Sequence, residues 1–492
     1  MSSIRLTGLA AAVLAAACLA LPAQAAPPAA DLTLTGAMTG ADHQTYREVP
    51  FRVPVGVTRL TVEFAYTGKE QKSVIDIGLR DPQRFRGWSG GNKSRFTLSE
   101  TDATPSYLPG PLPPGEWKLV LGVPNLRKDG EAHYTARIFF ERGPAPTTFA
   151  DAPLKSGPGW YRGDLHMHTA HSDGSCGSKK GVRVPCPVFR TLEAAEARGL
   201  DFIAITDHNA TSQNEALREL APFFDDLLLI PGREITTFQG HANVFGLAGP
   251  LDFQIGSPRA PTLATLQDQI EKAGGLLSIN HPALPSGEVC MGCGWSNTAT
   301  DFRRVQAIEV VNGGQAEGPL SGVAFWEARL NEGLRITAIG GSDNHDASLD
   351  PAKPASVGYP TTVVHAAELS QPAILAAIRA GHVFIDTQGS RDRTLEVTAS
   401  SAGHTAEMGD ALAAPAGVSI RFTVHVTQAA GGSLSISGNG PKPKLAGKSF
   451  SDDETLSFEV ASDGQAHWLR VDVRGPDGKL WLLGNPIYLN PR

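Results

Sequence analysis

Apolar and polar residues alternate with a period of two over the first part of the chain. Leu60, Val62, Phe64 and Tyr66 share one face of such a run. So do Ile75, Ile77 and Leu79, then Trp117, Leu119 and Leu121, then Tyr134, Ala136, Ile138 and Phe140. Side chains two apart lie on one face of a strand, so each run predicts a strand with one buried face. Turn-rich stretches such as 111–115 separate the runs and no long helical period interrupts them. Residues 26–156 therefore read as an N-terminal β-sandwich.

The pattern changes near residue 157. Short apolar runs at 202–206, 227–231, 275–280, 305–311 and 335–339 predict strands. Between and around them, 191–198, 214–224, 262–273, 320–331 and 371–380 have the spacing of amphipathic helices. Repeated βα units predict an α/β region over 157–390 with a parallel sheet or barrel. In a barrel the reactive groups gather at the C-terminal strand ends. Alternation returns over 391–492, with Val418, Ile420, Phe422 and Val424, then Leu456, Phe458 and Val460, then Leu469, Val471 and Val473. This predicts a second, smaller β-sandwich.

Composition narrows the class. At 492 residues the chain is long enough for about two to four domains. A hydrophobic share of 41% and a charged share of 19% are those of a soluble globular protein. A net charge of −7 gives no basis for nucleic acid or an anionic membrane as the main partner. Arg5, the apolar run 6–21 and Ala23-Gln24-Ala25 read as a signal peptide over 1–25, so the expectation is export to the periplasm or beyond, without stable membrane insertion. Cys18 falls within that segment, leaving Cys176, Cys186, Cys290 and Cys293. In an oxidising compartment an even count predicts two disulfides, and four cysteines allow three connectivities. Cys176–Cys186 and Cys290–Cys293 are preferred because each pair brackets one loop. A zinc site built from all four thiolates is the rival.

Candidate chemistry is concentrated in five motifs: DLHMHTAHSDG at 164–174, TDHN at 206–209, GREITTFQGH at 232–241, INHP at 279–282 and GSDNH at 341–345. Imidazole and carboxylate delivered repeatedly from strand ends suit a cluster of divalent ions. His166 and His168 are two apart, so on a strand both point to one face while Met167 packs behind them. The candidate metal ligands are His166, His168, Asp173, His208, Glu234, His241, His281, Asp343 and His345. Nine ligands with Glu234 as a bridging carboxylate suit two to three ions such as zinc, manganese or iron. Asp207 reads as an orienting group, Arg233 as a structural salt bridge pointing away from Glu234, and His171 as ambiguous. His43, His133, His365, His382, His404, His425 and His467 read as structural.

The motifs resemble the PHP (polymerase and histidinol phosphatase) superfamily, in which H-x-H, S-D-G, T-D-H, Glu…His, N-H-P and D-x-H follow in this order. The resemblance covers roughly the middle half of the chain. It implies a distorted (βα)7 barrel holding up to three metals. FRGWSGG at 85–91, the loop between Cys176 and Cys186, and CMGCGW at 290–295 also resemble an exported branch that includes carbaryl-hydrolase-like enzymes.

The expected activity is hydrolysis by metal-bound hydroxide, first of all of phosphate esters. Asp343 is the candidate to take or pass the proton, with His208 or His281 assisting the leaving group. Lys179, Lys180 and Arg183 lie between Cys176 and Cys186 and would favour a small anionic ester. A carbamate or carboxyl-ester hydrolase, with Trp295 and Trp326 lining a more aromatic pocket, is the alternative. A surface-polymer binding protein with a vestigial metal site is the reading of another class.

Overall fold

The computed structural model describes residues 29–143, 149–150, 152–288, 290–441, 443 and 449–491. The signal peptide expected at 1–25, with Cys18, lies outside the described residues.

The alternating runs of the N-terminal part form two four-stranded antiparallel sheets. One runs Leu32–Thr39, Glu131–Glu141, Arg59–Tyr66, Arg95–Ser99; the other runs Tyr46–Val53, Gly115–Asn125, Val74–Arg80, Phe85–Gly90. Their inner faces share one core. Leu60, Val62 and Phe64 meet Ile75, Ile77, Trp117, Leu119 and Leu121 there. Asp102, buried in this module, accepts from Arg218 of the following region at 2.7 Å.

The central strands lie side by side in the order Thr337–Gly341, Ala307–Asn312, Leu276–Ile279, Gly240–Phe245, Leu228–Thr237, Phe202–Ile205, Gly159–Asp164, Thr361–Ala366, Val383–Asp386. Phe202–Ile205 is parallel to both of its neighbours, as is Ala307–Asn312. Gly240–Phe245 breaks the parallel order as the return arm of a hairpin. The strand expected to end at Pro231 continues to Thr237, because residues 232–237 pair with that arm and Pro231 carries no needed donor. Helices Val188–Arg198, Gln213–Leu220, Leu263–Lys272, Val323–Asn331 and Gln371–Ala380 connect or flank the strands. Thr262 caps the third by accepting from Thr265 N, and Ser370 caps the last through Ala373 N.

The two flanks of this sheet approach each other. Gly340 N donates to Thr362 Oγ1 at 2.9 Å, and His168 N donates to Asn344 O at 2.8 Å. We propose that these strands form the wall of a distorted (βα)7 barrel.

Beyond Val383–Asp386 the sheet does not stop at residue 391. It continues through Leu480–Gly484, His467–Arg474, Ile487–Leu489 and Ala411–Leu412. This extension faces a separate four-stranded sheet, His404–Glu407, Thr394–Ser401, Ser419–Thr427, Asp453–Ala461. Val363 and Phe384 of the central region enter the same core as Val397, Phe422, Val471 and Leu482.

Candidate metal centre

Strand Gly159–Asp164 ends before the H-x-H motif, so His166 and His168 lie on an extended segment just past it. The alternation still holds: Met167 bridges Asn344 and is buried among Leu192, Ile203 and Ile205, and the two histidines share the opposite face. Asp164 fixes this segment. Its buried carboxylate accepts from the backbone N–H of His166 (3.2 Å), Ser342 (3.0 Å) and Gly358 (2.7 Å). Burial pushes its carboxyl above the usual range.

All nine expected ligands are brought together around Glu234 and Asp343. Glu234 Oε1 lies 3.3 Å from His166 Nε2, 3.3 Å from His281 Nε2 and 3.4 Å from His241 Nδ1. Its Oε2 lies 2.7 Å from His208 Nδ1 and 3.7 Å from His168 Nε2. Asp343 Oδ1 stands 3.1 Å from His168 Nε2, 3.3 Å from His166 Nε2 and 3.7 Å from His345 Nδ1. Asp173, at the outer edge, faces His345 Nε2 at 3.3 Å and His208 Nε2 at 3.7 Å. Three overlapping sets each place one donor atom per residue within 4.8 Å of the others: His168, Asp173, His208 and His345; His166, Glu234 and His281; His166, His168 and Asp343.

The donor set fits divalent ions, and two atoms make the case specific. His166 Nε2 and Glu234 Oε2 are buried at the centre without an aligned hydrogen bond, although His208 Nδ1 stands 2.7 Å from the carboxylate oxygen. A buried polar atom without a partner is costly, and these two are the atoms a cation would satisfy. The titration of the cage is consistent with that reading. Burial raises the Glu234 carboxyl, but His166, His208 and His241 more than reverse this and hold it well below its ordinary value. Burial likewise works against Asp343, and His166 and His168 hold it well below. Burial lowers the His166 imidazole, yet Asp343, Glu309 and Glu234 raise it well above normal. His345 donating to Asp173 lowers that carboxyl to about 2.

The backbone at the site is also forced. Asn209 (φ 51°), His281 (φ 26°) and Asp343 (φ 51°) adopt left-handed conformations that cost about 1–3 kcal/mol each and persist only where the surroundings impose them.

Glu309 is the functional residue that sequence reasoning missed. It is buried in strand Ala307–Asn312, and its Oε1 lies 2.9 Å from His166 Nδ1. Its Oε2 accepts from His281 N at 3.0 Å. The pair needs Gly341, since a Cβ there would sit 2.3 Å from Glu309 Oε1 and 2.5 Å from His166 Cβ. The available signal was a lone carboxylate in the otherwise apolar run AIEVV at 307–311.

Other outer contacts orient the ligands. Asn280 Nδ2 donates to Glu234 Oε1 at 2.9 Å, and Asn312 Nδ2 donates to Asp343 Oδ2 at 3.1 Å. His208 Nδ1 lies 2.6 Å from Thr236 Oγ1. The Cys290–Cys293 disulfide loop turns carbonyls onto two rings, Met291 O to His241 Nε2 at 3.1 Å and Cys293 O to His281 Nδ1 at 3.2 Å. Asp207 accepts from Thr169 N, Thr169 Oγ1 and Ser172 Oγ rather than from a ligand ring. His171 turns to Ser212 Oγ at 2.8 Å. Arg233 points away from the cage as alternation required, but it donates to the carbonyls of Leu247 and Gly249 and not to a carboxylate.

No family model matches the chain. It is 28% identical over 167 residues, 33% of this chain and 89% of the relative, to the uncharacterized protein MJ1587 of Methanocaldococcus jannaschii. Among solved structures it is similar to a "putative metal-dependent phosphoesterase" from Bifidobacterium adolescentis, at 16% identity and a TM-score of 0.27, over 40% of this chain and 90% of that one.

Proposed function

We propose that the chain is a multinuclear metal-dependent hydrolase of the PHP type acting on a small anionic phosphate ester. The observation that carries this reading is the pair Glu234 and Asp343, two carboxylates that between them face all six histidines of the cage. Two to three zinc, manganese or iron ions held there would acidify water and neutralise charge building on the substrate oxygen. Asp343 is the residue to move the proton, because its side chain is 22% exposed where that of Glu234 is 1% exposed. Asn312 holds its Oδ2 and leaves Oδ1 toward the cage. His208, 27% exposed, is better placed than His281, 3% exposed, to serve the leaving group.

Anion preference rests on the hairpin of Ser175–Gly177 and Arg183–Pro185, closed by the Cys176–Cys186 disulfide. Ser175 N donates to His345 O at 2.8 Å, which ties the hairpin to the site. Arg183 is held by Asp346 at 2.6 Å, so Lys179 and Lys180 are the cations left for substrate. The carbamate or carboxyl-ester alternative loses half of its aromatic wall. Trp326 is wholly buried and donates to Ile336 O, while Trp295 packs on Gly240 and donates to Thr300 Oγ1. Two disulfides support export, and no helix among the described residues is long and apolar enough to cross a membrane.

The test is a hydrolysis panel of phosphomonoesters, phosphodiesters, aryl esters and carbamates with defined metals, run on the natural chain and on Lys179→Gln/Lys180→Gln. The expected result is turnover of phosphate esters, with KM raised several-fold by the double substitution and kcat unchanged. Faster turnover of neutral carbamates or aryl esters would overturn the phosphoesterase assignment. Activity that survives complete chelation would overturn the metal dependence.

A further inference from the structure

A second group of donor side chains lies where the central sheet meets the C-terminal module, and it shares no residue with the cage. His365 stands on strand Thr361–Ala366, and His382 follows helix Gln371–Ala380. Glu407 ends strand His404–Glu407, and Asp410 lies in the turn after it. One donor atom from each of His382, Glu407 and Asp410 lies within 4.8 Å of the others. His365 Nδ1 is 3.2 Å from Glu407 Oε2, His382 Nδ1 is 3.7 Å from Glu407 Oε1, and His382 Nε2 is 3.2 Å from Asp410 Oδ1. Among the described residues, the ion-pair partners of both carboxylates are these histidines.

We propose that His382, Glu407 and Asp410 form a zinc site that clamps the C-terminal module onto the central sheet. Tetrahedral zinc with bonds of about 2.0–2.2 Å sets its ligand atoms about 3.3–3.6 Å apart, and one donor atom each from His382, Glu407 and Asp410 already lies within 4.8 Å of the others. Imidazole nitrogen with carboxylate oxygen suits zinc, whereas calcium takes about 6–8 oxygens.

The donors are also held in place before any ion arrives. His365 stacks on Trp160 with ring centroids 4.9 Å apart. Asp410 Oδ2 accepts from Glu407 N at 3.1 Å, which closes the turn that carries both carboxylates. The two sides meet through glycine backbones: a Cβ on Gly381 would stand 2.7 Å from Gly409 Cα, and one on Gly409 would stand 2.1 Å from Ala380 O. His382 comes from one side of this contact and the carboxylates from the other, so an ion bound by all three cross-links the two sides.

The full chain, stripped by chelator and reloaded with zinc alone, tests the proposal. Bound zinc is counted by elemental analysis, and zinc is located in crystals by anomalous scattering at its absorption edge. The expected result is an anomalous peak between His382, Glu407 and Asp410, distinct from any peak at Glu234. Glu407→Gln/Asp410→Asn should bind one zinc fewer per chain than the natural protein and lose that peak alone. An equal zinc count in the two proteins, or no peak at His382 in the natural protein, would overturn it. The natural-protein crystal decides the matter even if the double variant does not fold, and the peak at Glu234 reports separately on the cage.

Discussion

Glu309→Gln isolates the contribution of a residue that holds ligands without belonging to the ligand set. Three groups point at its carboxylate: His166 Nδ1 at 2.9 Å, His281 N at 3.0 Å and Asn312 Nδ2 at 3.2 Å. Glutamine keeps the shape but removes the charge, and its amide N–H₂ must face at least one of these donors. A hydrogen bond to a charged group contributes about 1.5–3 kcal/mol. At about 1.4 kcal/mol per tenfold, the expected loss of zinc affinity is about 10–150-fold, in line with the roughly 10–100-fold effect of removing a group that orients a ligand. The assay is competition for zinc between the stripped protein and a chromophoric chelator, with thermal melting of the stripped protein run in parallel. Zinc affinity within about threefold of the natural chain would refute the reasoning. A fall in melting temperature alone, with affinity of the folded protein intact, would reduce Glu309 to a packing role.

The two central carboxylates should be less forgiving. Glu234→Gln and Asp343→Asn should each lower turnover by more than about 100-fold, beyond the roughly 10–100-fold of an orienting residue, with circular dichroism unchanged; a loss under tenfold contradicts their roles. A third prediction concerns protons. Burial lowers the His345 imidazole, but Asp173 and Asp343 raise it from 6.5 to about 9, so the stripped protein keeps that proton at pH 7. Zinc loading should release it into a lightly buffered indicator solution at pH 7 and not at pH 10, since ligands must lose their protons to bind; equal release at both pH values would rule this out. The same raised value implies that the His345–Asp173 pair supports the stripped fold fully between about pH 4 and pH 6.5, with that support lost as pH rises through about 9 or falls through about 2.

The cage was legible because its ligands come in local pairs: H-x-H, D-x-H and a Glu-to-His hairpin each announce themselves within a few residues. Glu309 had no such neighbour. It lies 143 positions from the His166 it holds, and only the curl of the sheet joins them. Arg233 shows what alternation gives and withholds: its direction followed from the strand, but its carbonyl partners depend on where the chain runs after Phe245. His365 and His382 read as structural, and their contacts with Glu407 and Asp410 could not be foreseen because those carboxylates belong to a different module. Alternation also marks which face of a strand is buried without naming the strand beside it. The joining of Val383–Asp386 to Leu480–Gly484 was therefore invisible in the pattern.

That joining has a consequence for the order of assembly. Thr387 donates to Leu480 O, 93 positions further along. A chain that emerges N-terminus first, from ribosome or translocation pore, must present the Val383–Asp386 edge before its partner exists. At about 5–20 residues per second the wait is roughly 5–20 s, long compared with the roughly 1–10 μs in which a hairpin forms. During that interval the open edge of VFID, paired only with Thr361–Ala366 on its other side, stands ready to pair with another nascent copy. A chaperone that recognises extended apolar segments would find its substrate there.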